Sequence, residues 1–259
     1  VIQPVILAAG RGSRLGAAAR GGPKCLVRLG GRSLLDWQRA ALRAAGLPPP
    51  WLVVGHAGER VATRRGEHRV ANPRWAEGGP IDSLRCVPPE VLADGFLLLY
   101  GDCVWHPTHL RRVAEARAAI AVGVDLDWHA LWSARFESVL DDAETLRWGR
   151  GRRLAAIGAR ARTVTAIEGQ FAGLVKFSSR GWRQACARLD AARAARRPRD
   201  TTALLAALVA HGDPVRGVPL RGRWLEVDSA RDLALYRRRL RARASWSHDF
   251  RREAAWPAG

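Results

Sequence analysis

Lysine is almost missing from this chain. Only two of its 43 basic residues, Lys24 and Lys176, are lysines, which leaves 41 arginines. Acidic residues are few as well: 24 Asp and Glu stand against those cations, for a formal charge of +19. Such a balance invites a nucleic-acid partner, because phosphate neutralisation dominates that kind of affinity. The arginines are nevertheless spread along the whole chain, and a sequence rich in Ala, Arg, Gly and Pro has the composition of GC-rich coding. No nucleic-acid partner is expected on charge alone; spread arginines can still favour a small polyanionic substrate by steering it. Cysteine is scarce, and Cys25, Cys86, Cys103 and Cys186 show no CxxC spacing, which argues against a zinc site or disulfide framework. A reduced, cytoplasmic protein is the expectation. No apolar run approaches the roughly 18–20 residues of a membrane span, and no charged start leads into an apolar secretory core. What is present, 47% apolar and 26% charged residues, excludes a disordered chain. The 259 residues suit one domain with at most a modest lobe.

Short apolar runs punctuate the chain. Val5-Ile6-Leu7-Ala8-Ala9 reads as a buried strand broken at Gly10-Arg11-Gly12, and Trp51–Gly55, Phe96–Tyr100 and Ala119–Val124 repeat the pattern. Between them, Ser33–Ala45 has helical spacing with Ser33 as N-cap and Gly46 as stop, and a second helix runs from about His109 to Ala119. Strands alternating with helices predict an α/β fold, a Rossmann-like, mostly parallel (mixed) sheet covered by helices on both faces. Further on, Ala166–Phe177 reads as a strand region, Trp182–Ala195 and Thr202–Ala210 as helices, and Arg223–Val227 as a strand before a helix opening at Ser229. Residues 237–259 read as a basic helix end and a loose tail.

Three features carry chemistry. Leu7-Ala8-Ala9-Gly10-Arg11-Gly12-Ser13-Arg14-Leu15-Gly16 sets a glycine-rich turn directly after the first strand, where backbone amides can approach phosphate oxygens. It is neither a dinucleotide fingerprint, since Leu15 stands at the third glycine position, nor a P-loop, since no GK[ST] follows. Lys24 then stands out in a chain that uses arginine almost everywhere else, and a compact ammonium reaches a crowded phosphate where a planar guanidinium does not. Finally, Asp102 ends a predicted strand and Asp228 follows another. Two carboxylates at strand ends can share one divalent ion with phosphate oxygens, although an Asp before Ser229 can equally cap the following helix.

Taken together, Leu7–Leu15, Pro23-Lys24-Cys25-Leu26-Val27 and Gly30-Gly31-Arg32-Ser33-Leu34-Leu35 resemble the signature of the nucleotidyltransferases that make sugar nucleotides and CDP-alcohols, LAAGxGxRL, PKxL and GxPLL. Gly101-Asp102 and Trp224-Leu225-Glu226-Val227-Asp228-Ser229 fall in the family's order. Asn72-Pro73 with Asp82-Ser83-Leu84, Val124–Trp128, and Glu168–Ser178 are similar to the phosphocholine and phosphonate cytidylyltransferases, with Gln170 where that group has Glu.

The resemblance implies transfer of CMP from CTP to a phosphonate or phosphocholine-like acceptor, with Mg2+ as cofactor and release of pyrophosphate. Lys24 and Arg14 would be the catalytic groups. Leu7, Ala8, Ala9, Gly10, Arg11, Gly12, Ser83 and Gly101 would bind the nucleotide, and Asp102 and Asp228 the metal. Asp125, Asp127, Trp128, Arg135 and Gln170 would hold the acceptor, within an acceptor-binding part at 125–180 of a single domain that spans 1–259, tail 240–259 included. A homodimer is left open. The alternatives are a nucleotidyltransferase for a sugar or inositol phosphate, and a non-catalytic nucleotide- or nucleic-acid-binding protein.

Overall fold

Apolar runs flanked by glycine turns form the centre of the molecule. The structure, a computed structural model, describes residues 2–192, 198–242, 245–254 and 256. Its strands are β1 (Gln3–Ala8), β2 (Arg28–Leu29), β3 (Arg32–Ser33), β4 (Trp51–Val54), β5 (His68–Ala71), β6 (Gly95–Tyr100), β7 (Cys103–Trp105), β8 (Ile120–Asp125), β9 (Glu144–Trp148), β10 (Leu154–Arg160), β11 (Gln170–Ser178), β12 (Val215–Leu220) and β13 (Trp224–Glu226). The α-helices are α1 (Leu34–Ala44), α2 (Pro80–Leu84), α3 (Pro89–Ala93), α4 (Pro107–Ala114), α5 (Trp128–Arg135), α6 (Ser179–Ala191), α7 (Thr201–Ala210) and α8 (Ala230–Arg241).

A seven-stranded sheet runs in the order β12-β8-β11-β6-β1-β4-β5. All its pairings are parallel except those of β11, which lies antiparallel to both β6 and β8. Side chains alternate across a strand, so Val5 and Leu7 enter one layer with Ile81, Leu84, Trp182 and Leu204, while Ile6 and Ala8 enter the other with Leu35, Leu110, Leu131 and Leu233. Burial on both faces explains why these strands read as unbroken apolar runs. Ser33 caps α1 by accepting from the Asp36 amide at 3.0 Å. Among the described residues no helix is long and apolar enough to cross a membrane.

Several expectations are corrected. The second helix is α4, Pro107–Ala114, because His106 accepts from Thr108 N and Pro107 opens the first turn, with β8 starting at Ile120. The helix expected over 182–195 spans Ser179–Ala191, and positions 193–197 lie outside the described residues. The tail is not loose where it is described. Phe250 and His248 are fully buried, and Trp256 packs edge-on against Trp37 with ring centroids 5.1 Å apart. Its aromatics close one end of the core.

Candidate active site

β1 and β6 are hydrogen-bonded neighbours, and the crevice beyond their carboxyl ends is the usual ligand position in such a sheet. Gly101 brings the two ends together: its amide donates to Leu7 O at 2.9 Å, and a Cβ there would stand 2.6 Å from the same oxygen. Asp102 follows at once. β13 pairs antiparallel with β7, and the Val227 amide donates to Asp102 O at 3.0 Å, which sets Asp228 beside Asp102.

The glycine-rich turn packs against Lys24. Gly12 sits at φ +67°, a left-handed conformation that glycine adopts freely, and a Cβ there would meet Lys24 Cβ at 3.1 Å. The turn thus lies directly on Lys24, whose amide donates to Gly10 O at 3.2 Å. Lys24 Nζ donates to Asp102 Oδ2 and Asp228 Oδ1, each at 2.6 Å. Burial alone would lower the Lys24 pKa, but the two carboxylates outweigh it and hold it above the ordinary lysine value. Burial alone would raise Asp228, yet Lys24 and Arg135 keep it well below the usual carboxylate range. Arg14, largely exposed, adds a contact to Asp228 Oδ1 at 3.2 Å. Asp228 does not cap α8; Ser229 does, accepting from the Asp232 amide.

A cavity of about 340 Å³ opens beside this cluster. Asp102, Glu226, Asp228, Asp142, Glu144 and Gln170 line it, and Tyr100, Trp132 and Phe171 add aromatic surface. Burial first, then the negative charges of Asp200 and Asp142, push the Glu144 carboxyl up to about 7. Burial and the neighbouring Asp228 likewise raise Glu226. Asp102 and Glu226, with the Cys103 thiol, present ligand atoms within 4.8 Å of one another. With Asp228 alongside, the carboxylate oxygens are the hard donors that a magnesium-like cation takes, whereas the buried thiol is protonated and a poor ligand for one. The donor set fits a divalent cation.

The remaining sequence-predicted residues fall into two groups. Leu7, Ala8 and Ala9 are buried at the end of β1, Gly10 and Arg11 are exposed in the turn, and Ser83 lies in α2, accepting from Asn72 Nδ2 at 3.0 Å. Four of the acceptor candidates, Asp125, Asp127, Trp128 and Arg135, do not line this cavity. Asp125 is fully buried and accepts from Trp224 Nε1, the Gly222 and Asp127 amides and the His248 ring, so its carboxylate is consumed inside the fold. Asp127 pairs with Arg221 at 2.8 Å and lines a different cavity, with His109 and Trp246. Trp128 is a core residue packed on Trp132. Arg135 is 2% exposed, and four of its five guanidinium N–H groups are directed to Asp232, Glu226 and Asp228. Gln170 does line the cavity. Its amide donates to Glu144 O at 2.6 Å and accepts from Glu144 N at 3.3 Å, a two-way pairing that a Glu could not complete.

Asp142, Glu144 and Glu226 were not singled out by sequence reasoning. Glu226 was within reach, because positions 226 and 228 alternate along an extended segment and so project to one side. Asp142 and Glu144 carry no such signal, since the fold alone brings β9 to the end of β11.

A glycine-rich turn after β1, a lysine bridging two strand-end carboxylates and an adjoining pocket on this sheet are the features of a nucleotidyltransferase. The chain belongs to the MobA-like NTP transferase domain family, whose model matches residues 4–211. It is 28% identical over 253 residues to the CTP:phosphoglutamine cytidylyltransferase of Campylobacter jejuni, covering 90% of this chain and 98% of that protein. It is 37% identical over 128 residues to the CMP-5'-(3-aminopropyl)phosphonate synthase of Streptomyces rubellomurinus, covering 47% of this chain and 20% of that one. The fold matches the CTP:phosphocholine cytidylyltransferase of Streptococcus pneumoniae with a TM-score of 0.73 at 19% identity, over 93% of this chain and 99% of the other.

Proposed function

We propose that this enzyme transfers the CMP of CTP to a phosphate or phosphonate oxygen of a small acceptor whose far end is positively charged. The observation that carries the reading is the acidic and aromatic pocket, Asp142, Glu144, Tyr100, Trp132 and Phe171, next to the Lys24–Asp102–Asp228 cluster. Carboxylates with aromatic faces suit an ammonium through ion pairing and cation–π attraction, while a sugar hydroxyl would leave these charges uncompensated. Two of the relatives named above carry CTP in their names, which favours cytosine at the base site.

In the reaction, an acceptor oxygen forms a bond to the α-phosphorus, the bond from that phosphorus to the bridging oxygen breaks, and pyrophosphate leaves. The attacking oxygen is already anionic, so no proton has to be removed and no general base is needed. What must be supplied is positioning of two polyanions and compensation of charge. Backbone amides of the Gly10–Gly12 turn, Arg11 and Arg14 bind the triphosphate. Lys24, kept cationic by its carboxylate partners, sits at the α-phosphate and balances charge that grows during transfer. Asp102 and Asp228, with Glu226, would hold a divalent cation, magnesium in the simplest case, which supplies Lewis-acid polarisation of phosphate oxygens when bound. Within residues 125–180, the wall formed by Asp142, Glu144 and Phe171 orients the acceptor.

The test is pyrophosphate release from CTP and Mg2+ with 2-aminoethylphosphonate, phosphocholine, inositol 1-phosphate and glucose 1-phosphate. Turnover with the cationic acceptors is expected. Preference for the uncharged polyols would refute the reading.

A further inference from the structure

Arg135 is the most deeply buried guanidinium near the site, and the reaction above gives it no contact with substrate. Its side chain is 1% exposed and stands over the rings of Trp132 and Phe136, 5.5 and 4.9 Å from their centroids. Its nitrogens fan out to three acids. Nε donates to Asp232 Oδ1 at 3.0 Å and Nη2 to Asp232 Oδ2 at 3.3 Å; Nη1 reaches Glu226 Oε2 at 3.2 Å, and Nη2 also reaches Asp228 Oδ2 at 3.1 Å. From Glu226 and Asp228 it takes one oxygen each. The other oxygen of Asp228, Oδ1, meets Lys24 on the crevice side.

Asp232 is itself anchored, accepting from the Asp228 amide at 3.1 Å and the Ser229 amide at 2.9 Å while closing the capping box of α8. One guanidinium therefore ties α5, the start of α8 and the end of β13 to a single geometry. A lysine could not replace this arrangement, because a point charge cannot span three carboxylates whereas a planar fork with five donors can.

We infer that Arg135 is a positioning residue for the cation-binding carboxylates: it fixes one oxygen of Glu226 and one of Asp228 from behind so that their partners face the crevice as ligands. This rests on the reading of Asp102 and Asp228 as cation ligands. Outer-shell partners of this kind are commonly worth 10–100-fold in metal affinity.

The experiment is Mn2+ titration of the full chain with CTP and no acceptor, read by electron paramagnetic resonance, alongside thermal melting and the Mn2+ dependence of turnover. Arg135→Lys keeps the charge and removes the fork. It is expected to weaken Mn2+ by about tenfold or more, with kcat at saturating Mn2+ reduced far less than affinity. Asp232→Asn, which removes the acid that orients the guanidinium, is expected to shift Mn2+ affinity in the same direction and serves if Arg135→Lys does not fold. A lower melting temperature with unchanged Mn2+ affinity in either variant would make Arg135 a fold-stabilising residue only and overturn the inference. Asp102→Asn and Asp228→Asn separate the two levels. If neither weakens Mn2+, the cation-site reading itself fails; if both do and the Arg135 and Asp232 variants do not, only the positioning role fails.

Discussion

Glu144 offers a direct test of the proposed acceptor pocket. It lines the pocket with Asp142, and its carboxyl is pushed up to about 7 by burial and by the charges of Asp200 and Asp142. An ammonium about 4 Å from a carboxylate is worth about 4 kcal/mol at an effective dielectric constant of about 20. The pocket opens to solvent and the cation loses hydration on entry, so a net ~1–2 kcal/mol is the reasonable expectation. Glu144→Gln removes that charge with little change of shape. The expected result is a drop of about 5–30-fold in kcat/KM for 2-aminoethylphosphonate, against little change for methylphosphonate, which has no cation to recognise. The sign with pH follows. The carboxyl attracts an ammonium only when ionised, so wild-type kcat/KM for the cationic acceptor should rise from pH 6 to pH 8, and Glu144→Gln should flatten that rise. Stability moves the other way. A carboxyl raised in the folded state stabilises it at low pH and loses that contribution as pH climbs through about 7, so at pH 8 the ligand-free variant should melt higher than wild type. Pyrophosphate release with each acceptor and melting curves at pH 6 and 8 read all of this. Equal losses for charged and uncharged acceptors, or an unchanged pH profile, would refute the electrostatic reading of the pocket.

Two further outcomes test the placement of Asp125 and Gln170. Asp125→Asn weakens buried hydrogen bonds to Trp224 and His248 and is expected to cost about 1–3 kcal/mol in stability, measured by denaturant unfolding, while leaving acceptor KM unchanged in the folded enzyme; a raised KM without destabilisation would place Asp125 in the acceptor site. Gln170→Glu removes the donor to Glu144 O and adds a negative charge to an acidic wall, so a loss of about 1–3 kcal/mol is expected by the same measurement; a neutral or stabilising effect would show that the two-way amide pairing matters little.

Much of the fold was legible because buried parallel strands announce themselves as apolar runs, as Val5–Ala9 and Phe96–Tyr100 do. Strands without that signature were invisible: β5 is an edge strand of His68, Arg69, Val70 and Ala71, largely exposed, and β12, the other edge, carries Gly217 and Pro219, which edge positions tolerate. The Lys24–Asp102–Asp228 cluster was readable from local spacing, since turn, lysine and strand-end carboxylates each sit beside a recognisable strand. The lining of the adjoining cavity was not. Asp125, Asp127 and Trp128 looked like a charged aromatic cluster in sequence, but the end of β8 turns Asp125 inward to Trp224 and His248, while the pocket is furnished by Asp142 and Glu144 from the segment leading into β9. Which carboxylate meets solvent depends on contacts more than a hundred residues apart in sequence, as between Asp125 and His248. The tail misled for the same reason, its arginines suggesting solvent while Phe250 and His248 anchor it in the core.

The bridging lysine is the point on which the chemistry turns. Lys24→Ala, assayed for pyrophosphate release from CTP with a cationic phosphonate at saturating Mg2+, should lose about 10²–10³-fold or more in kcat, as sites lose when a preorganised electrostatic donor is removed. Folding would be verified by melting with the divalent cation present, because the substitution leaves Asp102 and Asp228 facing one another without the ammonium between them. A folded Lys24→Ala enzyme that turns over within a few-fold of wild type would contradict the placement of transferred phosphorus at this residue.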